Sequence, residues 1–147
     1  SYLENAGLSE NSIRATVSLD VHAYDVPYAL SLMVDSDVEQ NIPLIEHLFG
    51  TTETEQLSAS PIAFTDGWVA PAMLVSVGPQ ITEPGTHGYI VSKAAERYVS
   101  ALSAAGHHAE RFHDADETHS SLVGGFGEEG DLVTDAIGAF LDGLGLP

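Results

Sequence analysis

The segment Ala70-Pro-Ala-Met-Leu-Val-Ser-Val77 decides the fold class of this chain. It is an almost continuous apolar run, with Pro71 near its start and Pro79 just beyond its end. A strand with one wet face alternates apolar and polar residues, whereas a strand covered on both faces is apolar throughout. The segment therefore predicts a buried parallel strand over residues 71–77.

The flanking segments supply the rest of an α/β unit. Residues 13–19 alternate in polarity and predict a strand, and residues 108–113 predict another. Residues 90–105 and 131–144 carry apolar side chains at helical spacing and predict helices. Parallel strands need long crossovers, so a helical connection is expected over 24–61. The predicted fold is α/β, a single domain over 1–147 with a partial parallel sheet that resembles one end of a larger sheet.

The charge balance excludes several function classes. The chain has 22 acidic and 4 basic residues, a net charge of −18, which opposes binding to nucleic acid or to anionic membranes.

The chain contains no cysteine, which excludes disulfides, thiolate metal ligands and a cysteine nucleophile. No apolar run approaches the ~18 residues of a membrane span. The acids are dispersed along the chain, a pattern that favours a salt-adapted surface and a cytoplasmic location.

The polar stretch from Asp114 to Gly127 holds the candidate catalytic base, His119. This stretch is predicted to be a loop between a strand and a helix, which is where α/β enzymes place a general base. The alternative is an ordinary solvated histidine, since six other histidines lie elsewhere in the chain.

Neither a metal nor an organic cofactor is expected. Nitrogen and oxygen ligands are dense between His107 and His119, but adjacent His107 and His108 would point to opposite faces of a strand. The glycines at 124, 125 and 127 have no neighbouring lysine or preceding strand, so they do not predict a phosphate loop.

Several segments taken together resemble the C-terminal half of an α/β-hydrolase-fold esterase, of the esterase/lipase or carbohydrate-esterase-like branch. They occur in family order over nearly the whole chain: Tyr2-Leu3, Gly7-Leu8, Ile13-Arg14, Leu19-Asp20, Ala23-Tyr-Asp-Val-Pro27, Phe49-Gly50, Ala59-Ser-Pro-Ile62, Ala70 to Val77, Lys93 to Gly106, Glu117-Thr-His119, Gly127, Gly130-Asp131 and Val133-Thr134.

The resemblance implies a role for His119 as the general base of a serine hydrolase, oriented by an acid. The family acid follows the seventh strand, where this chain has Pro79 or Gln80, so the first carboxylate there, Glu83, is the expected acid. The alternative is that this chain has lost the acid. The G-x-S-x-G nucleophile elbow and the oxyanion loop are missing from the sequence.

Two functions follow. In the first, the chain contributes to hydrolysis of small carboxylic esters, with the nucleophile on a missing N-terminal half or a second chain. In the alternative, it is a non-catalytic module that associates through an exposed sheet edge.

The charge pattern predicts a salt-dependent fold. Because molar salt shortens electrostatic screening to ~3 Å, repulsion among the acids should weaken. We expect the melting temperature to rise by about 5 °C or more between low and molar KCl, measured by circular dichroism. An unchanged melting temperature would contradict salt adaptation.

Overall fold

The computed structural model describes residues 5–9, 12–79 and 81–146, and it confirms an α/β architecture with a parallel sheet. The strands are β1 (Thr16–Leu19), β2 (Ala72–Val77) and β3 (Ala109–Asp114), in spatial order β1-β2-β3. The helices are α1 (Val26–Met33), α2 (Ile42–Phe49), α3 (Glu53–Ser58), α4 (His87–Ala104), α5 (His119–Gly125) and α6 (Leu132–Gly143), with 3-10 turns at Glu39–Asn41 and Pro61–Phe64. Within these ranges no helix is long and apolar enough to cross a membrane.

The central strand β2 is buried along its whole length because helices cover both faces of the sheet. Met73, Val75 and Val77 pack against Leu122 of α5 and against α6. The alternate side chains of β2, Ala72 and Leu74, pack against α4. Burial on both faces explains why this segment is apolar without alternation.

Four strand bounds differ from the sequence prediction; two of them are that β2 begins at Ala72 and β3 at Ala109, each one residue later than predicted. β1 begins at Thr16 and not near residue 13, because the ladder starts where the Thr16 N–H donates to the Pro71 carbonyl. β3 extends to Asp114, whose carbonyl accepts from the Gly78 N–H. Tyr2-Leu3, part of the family resemblance, lies outside the described residues.

His119 was expected in a loop, but it is the first residue of α5. Thr118 caps this helix by accepting from the Ser121 N–H, and the Ser121 hydroxyl accepts in return from the Thr118 N–H. This reciprocal capping box satisfies backbone donors that a helix start would leave unpaired. Ser121, interpreted from sequence as a loop residue, therefore stabilises the helix that carries His119.

The connection between β1 and β2 is helical, and the side chain of Ser60 links two of its helices. This fully buried hydroxyl accepts from the Val26 N–H at 2.9 Å and donates to the Gln56 carbonyl at 2.7 Å. Beside it, the Ile62 N–H donates to the Tyr24 carbonyl. The start of α1 and the end of α3 are thereby held together.

Ser60→Ala should destabilise the protein by about 1–3 kcal/mol, because it leaves the buried Val26 N–H without an acceptor. Ser58→Ala is the matched control, since this exposed hydroxyl donates to a carbonyl of its own helix and should matter by less than about 0.5 kcal/mol. Denaturant unfolding measures both. Equal effects would show that Ser60 has no special role.

Candidate active site

The carboxyl ends of the three strands bring polar residues to one edge of the sheet. Asp20 follows β1, Gly78 follows β2 and Asp114 ends β3. Because parallel strands end at the same edge, residues far apart in sequence meet there, and this edge is where open α/β sheets bind ligands.

Asp20 and His119 form the central contact of this edge. The Nδ1 atom of His119 lies 2.8 Å from Asp20 Oδ2. The Asp20 side chain is completely buried, whereas 64% of the His119 side-chain area is exposed. A carboxylate oxygen only accepts, so the proton lies on Nδ1 and Nε2 is left to accept a proton from another group.

The backbone around Asp20 fixes the direction of its carboxylate. Its N–H donates to the Val75 carbonyl at 2.8 Å, and its Oδ1 accepts from the Val77 N–H at 3.2 Å. The residue has φ of 53°, in the left-handed region that aspartate enters more readily than most residues. Such strained residues cluster at functional sites, where the surrounding structure holds them in place.

His119 faces a cleft of about 200 Å³ at the carboxyl end of β2. Gly78, with φ of 105°, turns the chain out of the strand beside the start of α4. The cleft is lined by Asp37, Val77, Gly78, Pro79, His87, Gly88, Glu117, Thr118 and His119. The cleft is open beside the imidazole.

Glu83, the expected acid, does not take the position beside His119. It lies in the exposed turn before α4, where its carbonyl accepts from the Thr86 hydroxyl at 2.8 Å. Pro79, one of the two aligned positions, lines the cleft, and Gln80 lies outside the described residues. The carboxylate that contacts the imidazole is therefore Asp20, from the end of the neighbouring strand.

Of the other acids near His119, Asp114 has a local role. Asp114 is buried, and its Oδ1 accepts from the Asp116 N–H at 2.9 Å, which shapes the turn after β3. On that strand, His113 Nδ1 lies 3.0 Å from the Ser76 hydroxyl. Across the described residues, no group of three or more histidines and acids is arranged to hold a metal ion.

Two further histidines lie near the site: His87 lines the cleft, and His22 is within electrostatic reach of Asp20. The rings of His22 and His87 meet edge to face, with centroids 6.4 Å apart. Burial lowers the pKa of His22, His87 lowers it further, and Asp20 opposes both. Nearby, burial raises the pKa of the Tyr24 hydroxyl to about 12. Burial and the neighbouring His87 thus disfavour the protonated form of His22.

No protein-family model, curated protein or solved structure matches this chain. The arrangement itself places an imidazole, hydrogen-bonded to a buried carboxylate, beside an open cleft. A serine nucleophile of the elbow type is missing from the sequence.

Asp20 was missed as a partner because 99 positions separate it from His119. The sequence does contain a feature that points to Asp20. This residue directly follows the predicted first strand, so its carboxylate would reach the same edge of the sheet as the residues after β2 and β3.

Asp20→Asn should abolish the downfield imidazole N–H proton signal of His119, because the charged acceptor of that proton is removed. Glu83→Gln is the matched control and should leave the signal in place. Proton NMR near neutral pH measures both. If Glu83→Gln removes the signal and Asp20→Asn does not, Glu83 is the partner in solution.

Proposed function

We propose that this chain supplies the general base and the orienting acid of a serine esterase. His119 Nε2 takes the proton from a serine hydroxyl as its oxygen attacks the ester carbonyl, and it then returns the proton to the leaving alcohol. Asp20 holds the imidazole in the required tautomer and stabilises the imidazolium that forms.

The observation that carries this proposal is the 2.8 Å contact between His119 Nδ1 and the buried Asp20 carboxylate. An ion pair between an exposed histidine and an exposed acid contributes little free energy and fixes neither side chain. Here the acid is fully desolvated and fixed by the Val77 N–H, while the imidazole is exposed to a cleft. This combination of a rigid acid and an accessible base is what proton transfer requires.

The nucleophile would have to come from outside this chain, and the free edge of β1 is the proposed attachment site. β1 carries no charged residue, whereas the opposite edge strand, β3, exposes Glu110 and Arg111. Charges protect sheet edges against pairing, so the uncharged edge is the one suited to a further strand. A parallel strand added there would end next to Asp20, at the edge that holds His119. The partner is a missing N-terminal half or a second chain.

The same uncharged edge favours the alternative, a non-catalytic module that associates through β1. The two functions differ in what is encoded upstream of Ser1. A G-x-S-x-G elbow there supports the esterase, and a partner without such a serine supports the module.

The catalytic test uses the chain together with the polypeptide that supplies the serine, assayed on 4-nitrophenyl acetate. His119→Ala should lower kcat about 10³-fold or more, since the proton acceptor is lost. Asp20→Asn should lower it about 10²- to 10⁴-fold, because the imidazole loses its tautomer and orientation.

Glu83→Gln is the control and should retain the full rate. Undiminished turnover by His119→Ala would overturn the base assignment. A loss confined to Glu83→Gln would restore Glu83 as the acid.

A further inference from the structure

The charges around the cleft that holds His119 are distributed unequally. Asp37 and Glu117 line the cleft, and none of the described residues that line it is a lysine or an arginine. A third carboxylate, that of Asp20, is hydrogen-bonded to His119. The open space beside the imidazole is therefore bordered by negative charge alone, apart from helix dipoles.

The two lining acids belong to segments that reach the cleft from different faces of the sheet. The Asp37 N–H donates to the Gly85 carbonyl at 2.8 Å, just before α4 begins. Glu117 lies two residues before the start of α5 and precedes its cap, Thr118. Because α4 and α5 pack on opposite faces of β2, the two acids approach the cleft from different sides.

The basic residues of the chain lie away from the cleft. Arg14 precedes β1 and lines a recess with Trp68, at the opposite end of the sheet. The other three are paired along the flank of α4: Lys93 with Glu96, Arg97 with Asp25, and Arg111 with the Ser92 carbonyl. Within the described part of the chain, no ion pair neutralises Asp37 or Glu117.

The sign of the electrostatic potential in the cleft follows from these charges. α4 begins at the cleft, and the start of a helix carries about half a positive charge, which is less than the charge of two carboxylates. A charge acts through space, so neither carboxylate has to touch the ligand. At physiological salt the screening length is about 8 Å, which leaves a group in the cleft within range of both acids. The cleft therefore favours a cation.

We propose that the cleft beside His119 selects esters that carry a positively charged ammonium group over neutral and anionic esters. The assignment rests on the proposed esterase function. Asp37 and Glu117 determine this specificity, since their carboxylates attract the ammonium group while the exposed imidazole remains available to the reacting serine.

Choline and 3,3-dimethylbutan-1-ol test the charge preference without requiring catalysis, because they have nearly the same shape and differ in charge. The chain is titrated with each in 0.15 M KCl at pH 8, above the ordinary titration range of imidazole. Choline should shift the NMR signals of His87 and His119 with a Kd about threefold to tenfold lower than that of the alcohol. In molar KCl this difference should shrink, because screening shortens to ~3 Å.

The double variant Asp37→Asn, Glu117→Gln should lose most of the preference for choline and bind the neutral alcohol as before. The matched control is Asp35→Asn, Asp116→Asn, which removes the same charge from two exposed residues that do not line the cleft. Asp35 has φ of 58°, a conformation that asparagine also adopts, so its backbone should be undisturbed. The control should keep the preference for choline.

Three results would each overturn the inference: no shift with choline, equal affinity for choline and the alcohol, or an equal loss of preference in both double variants. Turnover is read separately, with acetylcholine and 3,3-dimethylbutyl acetate, using the chain together with the polypeptide that supplies the serine. Failure of the esterase proposal appears as no turnover of either ester, whereas failure of the charge preference appears in the binding of choline and the alcohol.

Discussion

The carboxylate of Asp20 connects three parts of the chain at the carboxyl end of the sheet. Its Oδ1 accepts from the Val77 N–H of β2, and its Oδ2 accepts from His119 at the start of α5. The residue itself directly follows β1, so one buried carboxylate joins the ends of β1 and β2 to the start of α5. A buried charge needs such partners, because a carboxylate removed from water without hydrogen bonds is strongly disfavoured.

The sheet makes this arrangement possible because it is rigid and covered on both faces. α5 and α6 pack on one face of β2, and α4 packs on the other. The capping box at Thr118 and Ser121 then begins α5 at a defined position, which brings the imidazole over Asp20. A histidine in an unstructured loop would sample many orientations. Ordering its side chain beside Asp20 would then cost conformational entropy.

Histidines at this end of the sheet have different environments. His119 is exposed and hydrogen-bonded to Asp20, whereas His22 is half-buried, burial lowers its pKa, and its buried Nε2 atom has no hydrogen-bond partner among the described residues. His87 lines the cleft beside His119. Burial therefore separates an accessible imidazole from one whose protonated form is disfavoured.

The sequence by itself determined the α/β class, the parallel central strand and the candidacy of His119. These follow from local patterns, since an apolar run without alternation requires two covered faces and helical spacing requires a helix. The partner of His119 was decided by tertiary structure. Glu83 is closer in sequence, but the direction of the chain after Gly78 takes it to the surface, while strand pairing brings Asp20 to the imidazole. Sequence distance carries no information about which strand ends are neighbours, and that adjacency exists only once the sheet has formed.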